Sequence, residues 1–259
     1  RFARALEFDG YPQFRAALVL GFESTLAPVD KLRDRLESPA TAADVFSNAL
    51  AEIARNIELT RNAFDADSCE KAVTAILGAR RVYIVGYGAS SWLAGLLQRN
   101  LERNCDYVQA QASLEGSSHG ARALARLGSD DLLIALAFPR YFADTVTLAG
   151  QASKAGIPLL ALTDRVTSPV ARLATVALYA HTDSQYLPNS EASALALIEG
   201  LSVAVALRAK DSLESAAELA EVLLPWLHDS QTAGARPNAA VRRRVKSPGV
   251  VRKLAGNKS

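Results

Sequence analysis

Residues Arg81–Glu102 read RVYIVGYGASSWLAGLLQRNLE, and this stretch decides the fold. Val82–Val85 is a short run without a charged residue, followed at once by the turn Gly86-Tyr87-Gly88-Ala89-Ser90-Ser91 and by a helical stretch near 89–103. A short, nearly continuous apolar strand feeding directly into a helix belongs to a parallel sheet covered on both faces.

The same alternation continues downstream. Strands are expected at Val82–Val85, Tyr107–Ala110, Leu132–Ala137, Pro158–Leu162 and Thr175–Tyr179, with helical stretches near 89–103, 118–127, 142–155 and 168–173 between them. The reading is an α/β fold, a doubly wound five-stranded parallel sheet over residues 79 to about 208. A long helix from about Asn189 to Arg208 closes it, and a helix from Asp211 to His228 ends the folded part. In such sheets ligands bind beyond the carboxyl ends of the strands, so function is sought in the turns that follow them.

The first such turn has two glycines that let the backbone bend sharply. Ser90, Ser91 and the amides opening the next helix could meet a phosphate there, with the helix dipole behind them. A dinucleotide site would want a third glycine at position 91, which is Ser, and an acid at the far end of the second strand. Asp106 has the separation but lies at the beginning of that strand. A tight turn with no ligand is the plain alternative.

Upstream, residues 41–65 carry apolar groups at Val45, Leu50, Ile53, Ile57 and Phe64, and Thr41 with Asp44 three residues later is an N-terminal capping pattern. A second helix is expected at about 67–78, ending at Gly78. The chain opens RFARALEFDGYPQFRAAL, in which Phe2, Ala5, Leu6 and then Phe14, Ala17, Leu18 recur at helical spacing around an interrupting Gly10-Tyr11-Pro12. No capping residue precedes the first apolar position, so residues 1 to about 8 read as the back of a helix that begins further upstream.

Composition bounds what the chain can be. With 259 residues, 49% hydrophobic and 22% charged, it can bury a sizeable core, and no apolar run is long enough to span a bilayer. The start is neither a signal peptide nor a transit sequence, and a cytoplasmic location is the expectation. Cys69 and Cys105 have neither CxxC spacing nor paired histidines nearby, so plain reduced thiols are expected, with no metal site and no cofactor. Met is absent altogether. Charge is uneven: residues 229–259 hold eight basic side chains against the single acid Asp229, so the remainder of the chain is net acidic. That tail, rich in Pro and Gly, should be mobile, and reads either as a phosphate-seeking arm or as a solubilising extension.

The order of a long helix, VYIVGYGASS (82–91), DDLLIALAFPRY (130–141) and IPLLALTDRVTSPVARLATVAL (157–178) resembles a SIS (sugar isomerase) domain of the RpiR-type bacterial transcription regulators. The opening RFARALEFDGYPQFRAAL is similar to the segment that follows the start of the recognition helix in their helix-turn-helix domain. The resemblance thus implies that residues 1–26 are the C-terminal remnant of a helix-turn-helix domain truncated at its N-terminus. Residues 27–78 would be a helical connector, 79–228 a SIS-like domain with C-terminal helices, and 229–259 the basic flexible tail. It implies that Arg1 and Arg4 face DNA. Separately, the helices at 41–65 and 189–208 carry more apolar surface than one layer over the sheet can bury, so a homodimer or homotetramer is expected. The lack of a spanning apolar run leaves no membrane partner expected.

In this family the loops after strands one and three hold a phosphosugar. The resemblance implies a ligand site of Gly86, Gly88, Ser90, Ser91, Arg140, Thr163 and Ser168, binding a phosphorylated sugar or related anionic metabolite. The Ser-rich loop usual after strand three is replaced here by Phe138-Pro139-Arg140-Tyr141-Phe142, so Arg140 would supply a planar fixed charge where hydroxyls and amides normally act. Arg140 is otherwise a surface charge, and Asp164-Arg165 with Ser168-Pro169 is equally a plain turn before a helix cap.

An isomerase would need a positioned base and acid. Glu115, His119, His181 and Glu191 are the candidates, and they show no paired spacing, so no catalytic residue is assigned and a regulator rather than an enzyme is expected. A sugar-phosphate isomerase of the same fold and a SIS-fold assembly module without ligand are the alternatives.

Overall fold

A computed structural model describes residues 40–111, 116–210 and 212–226, with isolated positions before residue 40. The expected helix-turn-helix remnant with Arg1 and Arg4, Glu115 and the basic tail therefore fall outside the described residues, apart from isolated positions. The helices are α1 (Ala42–Asn62), α2 (Ala66–Gly78), α3 (Ser90–Leu101), α4 (Gly116–Leu124), α5 (Ala143–Lys154), α6 (Ala192–Arg208) and α7 (Ser212–Leu223). The strands are β1 (Val82–Val85), β2 (Val108–Gln111), β3 (Leu132–Ala137), β4 (Leu159–Thr163) and β5 (Val176–Tyr179). The chain divides into two units at Ala216, and the sheet with its covering helices lies wholly in the first.

All five strands are parallel, in the order β2-β1-β3-β4-β5. The central strands β1, β3 and β4 are buried at every position, which is why they read as unbroken apolar runs. One face packs Ile84, Ile134 and Leu162 against α2, α3 and α6. The other packs Tyr83, Val85, Leu133 and Ala161 against α4 and α5. The expected doubly wound sheet is the observed one, and strand boundaries differ by a residue, as at β2, which begins at Val108 and ends at Gln111.

Two expected helices are shortened for local reasons. The stretch near 168–173 is only a three-residue 3-10 turn, Ala171–Leu173, because the chain must re-enter the sheet at Val176 within a few residues. The helix expected to reach His228 stops at Leu223 and tightens into a 3-10 turn over Leu224–Trp226, where Pro225 has no N–H to continue the α pattern.

The capping box of α1 forms as expected: the Asp44 amide donates to Thr41 Oγ1 at 3.2 Å while the Thr41 amide donates to Asp44 Oδ2 at 3.1 Å. The orientation of α1 is the surprise. Its buried residues are Glu52, Asn56 and Thr60, a polar ladder at i, i+4, i+8, while Val45, Phe46, Leu50, Ile57 and Phe64 are exposed. The ladder clamps the loop after β5. Asn56 Nδ2 donates to the Asp183 carbonyl at 2.6 Å, Thr60 Oγ1 accepts from the His181 amide at 2.9 Å, and Glu52 Oε2 accepts from the Gln185 amide at 3.1 Å. Backbone groups that no strand satisfies are thus satisfied by one helix face.

At the opposite end of the sheet, the side chain of Asp131 is fully buried. It accepts from Arg80 Nε and Nη2 (3.2 and 3.0 Å), Arg81 Nε and Nη2 (3.0 and 2.7 Å) and the Gly128 amide (2.8 Å). The Arg81 hydrogen bonds hold this carboxyl far below the usual carboxylate range, against the opposing effect of burial.

Candidate functional site

The strand order decides where a ligand can sit. The helix after β1 carries the chain to β2 on one side, and the helix after β3 carries it to β4 on the other. The two crossovers diverge between neighbouring strands and leave a crevice beyond their carboxyl ends, the switch point of the sheet. Its walls are the loops Gly86–Ala89 and Phe138–Phe142.

Both glycines in the first loop are sterically required. A Cβ at Gly86 would lie 2.8 Å from the Ser90 carbonyl oxygen, so α3 could not start so close to the strand. Gly88 has φ +63°, and a Cβ there would come within 2.2 Å of the Phe142 ring. That ring is 51% exposed and closes from the second loop directly onto the first. The Tyr87 amide donates to Thr145 Oγ1 at 3.3 Å, a second tie between the first loop and α5. Helix α3 begins without a side-chain cap, because its N-cap is Ala89. Ser90 is buried and Ser91 half-buried at its first turn, where backbone N–H groups concentrate positive potential.

The second loop carries a strained residue. Arg140 has φ +66° and, among the described residues, is the only non-glycine with left-handed backbone. This conformation costs an L-residue about 1–2 kcal/mol, and its side chain is exposed. Its neighbours hold it there. Tyr141 Oη donates to Asp164 Oδ1 at 2.7 Å, Asp164 pairs with Arg165, and Phe142 rests on Gly88. Burial, followed by the hydrogen bond to Asp164, pushes the Tyr141 hydroxyl far above the ordinary tyrosine range, so it stays protonated and remains a donor.

The expected site residues thus fall into two groups. Gly86, Gly88, Ser90 and Ser91 lie on the turn after β1 and the first turn of α3, and Arg140 lies on the neighbouring loop after β3. Thr163 and Ser168 are buried behind it: Thr163 Oγ1 donates to the Ala137 carbonyl at 2.5 Å, and the Ser168 hydroxyl lies 2.7 Å from Thr163 Oγ1. They knit β4 to the end of β3 beneath the second loop. His119 on α4, His181 after β5 and Glu191 at the start of α6 lie on three separate elements. Burial pushes both thiols up, Cys105 to about 11, which leaves neither activated as a nucleophile. Among the described residues no three His, Cys, Asp or Glu side chains come together as a metal site would require, and no single helix is long and apolar enough to cross a membrane. Phe142 and Thr145, which join the two walls, carried no sequence signal, because their partners are 54 and 58 residues away.

The model of the SIS domain matches residues 75–209, the span of this sheet and its helices. The RpiR transcription factor of Sphaerobacter thermophilus, solved as its sugar isomerase domain, is 30% identical over 68% of this chain and 96% of its own, with a TM-score of 0.63. This chain belongs to the RpiR-type SIS-domain family. The HTH-type transcriptional regulator HexR of Pseudomonas aeruginosa is 28% identical over 69% of the chain and 60% of its own length. NanR of Vibrio vulnificus, solved with ManNAc-6P, shares the fold over 88% of the chain and 80% of its own, with a TM-score of 0.66 at 22% identity. The chain spans only 38% of the Bifunctional protein glk of Paraburkholderia xenovorans, to which it is 27% identical over 91% of this chain.

Proposed function

We propose that this SIS regulator is a ligand-responsive transcription factor whose switch-point crevice senses a phosphorylated sugar or related anionic metabolite. The observation that carries the reading is Arg140. A cation held in a costly backbone conformation, at the mouth of a crevice whose other wall is a two-glycine turn opening a helix, is a feature the fold does not need for itself. The phosphate would meet the backbone amides at the start of α3 and the hydroxyls of Ser90 or Ser91, while Arg140 approaches from the facing loop as a bidentate partner. Thr163 and Ser168 would support the loop from behind. The ManNAc-6P bound to NanR supports a sugar phosphate as the ligand class, since the two share a fold.

Assembly belongs to the same proposal. The exposed apolar face of α1, with Phe46 69% and Leu50 52% exposed, adjoins α6, whose Val203 and Leu207 are also exposed. An isologous pairing through these helices would give a homodimer or homotetramer. In the full-length protein such a dimer would place two helix-turn-helix units for a palindromic operator. A regulator is favoured over an isomerase because, among the described candidates, His119, His181 and Glu191 lie on three separate elements.

A thermal-shift screen of sugar phosphates against the matching unphosphorylated sugars tests the sensor. Phosphorylated ligands should raise the melting point in proportion to the logarithm of concentration over affinity. Arg140→Ala should weaken them by about 1.5–3 kcal/mol, the worth of a hydrogen bond to a charged group, and leave the free sugars unaffected. Equal affinity of variant and parent for every bound sugar phosphate would remove Arg140 from the site.

A further inference from the structure

Gln111 is the last residue of β2, in register with Val85 at the end of β1. Its side chain is only 2% exposed, and among the described residues neither Oε1 nor Nε2 has a hydrogen-bond partner. It lines a crevice with Tyr83, Val85, Gly120, Leu124, Leu127, Leu133 and Leu148 that leaves no room for a water molecule. An unpartnered buried polar group destabilises the fold, and a leucine or methionine would fill the same wall without that cost. The crevice adjoins the switch point: Val85 leads into Gly86, and a Cβ at Gly120 would lie 3.0 Å from the Tyr87 hydroxyl oxygen, in the first loop.

We propose that Gln111 is a specificity-determining residue that binds a vicinal pair of hydroxyls on a sugar effector. This rests on the sensor reading above and narrows it from anions in general to polyhydroxylated ones. The carboxamide offers one acceptor and one donor group side by side. A phosphomonoester dianion only accepts, and would set oxygen against Oε1. A secondary amide is trans, so its N–H and C=O point in opposite directions and reach one of the two atoms only. Two adjacent sugar hydroxyls satisfy both, one donating to Oε1 and the other accepting from Nε2, while the C–H face of the ring packs on the leucines. Because the crevice is closed around Gln111, binding entails an outward shift of α4, which carries Gly120 and Leu124.

Calorimetric titration of the parent, Gln111→Leu and Gln111→Met tests this, using glucose 6-phosphate, fructose 6-phosphate, ManNAc-6P, phosphoenolpyruvate and inorganic phosphate. The tightest hexose phosphate should lose at least tenfold in both variants, while phosphoenolpyruvate and inorganic phosphate, which lack a diol, change less than twofold. The ligand-free variants should melt at the parent's temperature or above it, since they remove an unpartnered amide. An unchanged hexose phosphate affinity, or an equal loss for inorganic phosphate, would overturn the assignment. So would lower melting of both variants with ligand preference intact, which is the signature of a purely structural glutamine. If only phosphoenolpyruvate or inorganic phosphate binds the parent, the diol subsite fails and the anion sensor stands. If nothing in the panel binds, the sensor reading itself fails and the subsite with it.

Discussion

Gly88→Ala attacks the Phe142 contact that helps join the two loops, and its cost has two separable parts. The backbone part comes from φ +63°, where an L-residue costs about 1–2 kcal/mol. The packing part comes from the new methyl, which would sit 2.2 Å from Phe142 Cε2 and 2.3 Å from Cζ. No ring tolerates that approach, so Phe142 must leave. The ring is only half-buried, so losing its contact forfeits about 1 kcal/mol, roughly half of what full burial of a Phe brings. Gly88→Ala should therefore cost about 2–3 kcal/mol, and Phe142→Ala alone about 1 kcal/mol. In the double variant the ring is already gone and only the backbone part remains, so the pair should fall short of additivity by about 1 kcal/mol. Urea unfolding monitored by circular dichroism reads all three, with a shift of about 2–4 °C in melting point per kcal/mol as a cross-check. Strict additivity of the two substitutions would refute the reasoning, because it would mean that the ring does not rest on Gly88.

Four further outcomes rest on other parts of the fold. Arg140→Gly should raise the melting point by about 1–3 °C, because glycine relieves the left-handed strain, while abolishing the phosphate-dependent part of ligand binding; a less stable variant would contradict the strain assignment. Asp131→Ala should cost about 3 kcal/mol by leaving Arg80 and Arg81 without their shared carboxylate, measured by denaturant unfolding at neutral pH. Because the folded state holds the Asp131 carboxyl below its unfolded value, its contribution is complete above about pH 4 and is lost as pH falls further, so Asp131→Asn should flatten the acid limb of the stability profile. Phe46→Asp with Leu50→Asp should shift sedimentation towards monomer without lowering the melting point of the monomer, since neither side chain is buried in its own subunit; unchanged sedimentation of an oligomer would move the interface elsewhere.

The parallel sheet and its order of helices were legible from the chain alone, because strands covered on both faces must be apolar at every position and turns that enter a helix abruptly need glycine. Val82–Val85 with Gly86 and Gly88 states both conditions within seven residues. The capping box at Thr41 and Asp44 was legible for the same reason, being a contact across three residues. What sequence could not decide is which side of α1 faces inward. Its apolar stripe suggests a buried face, yet Glu52, Asn56 and Thr60 turn inward because the loop after β5, more than 120 residues later, presents backbone groups that must be satisfied. The strain at Arg140, the ring on Gly88 and the unpartnered amide of Gln111 are likewise properties of juxtaposition. Local sequence sets the dihedral preferences of a residue and the faces of its element. Only the packed sheet decides which distant side chain arrives beside it, as Phe142 arrives on Gly88 beyond the carboxyl ends of β1 and β3.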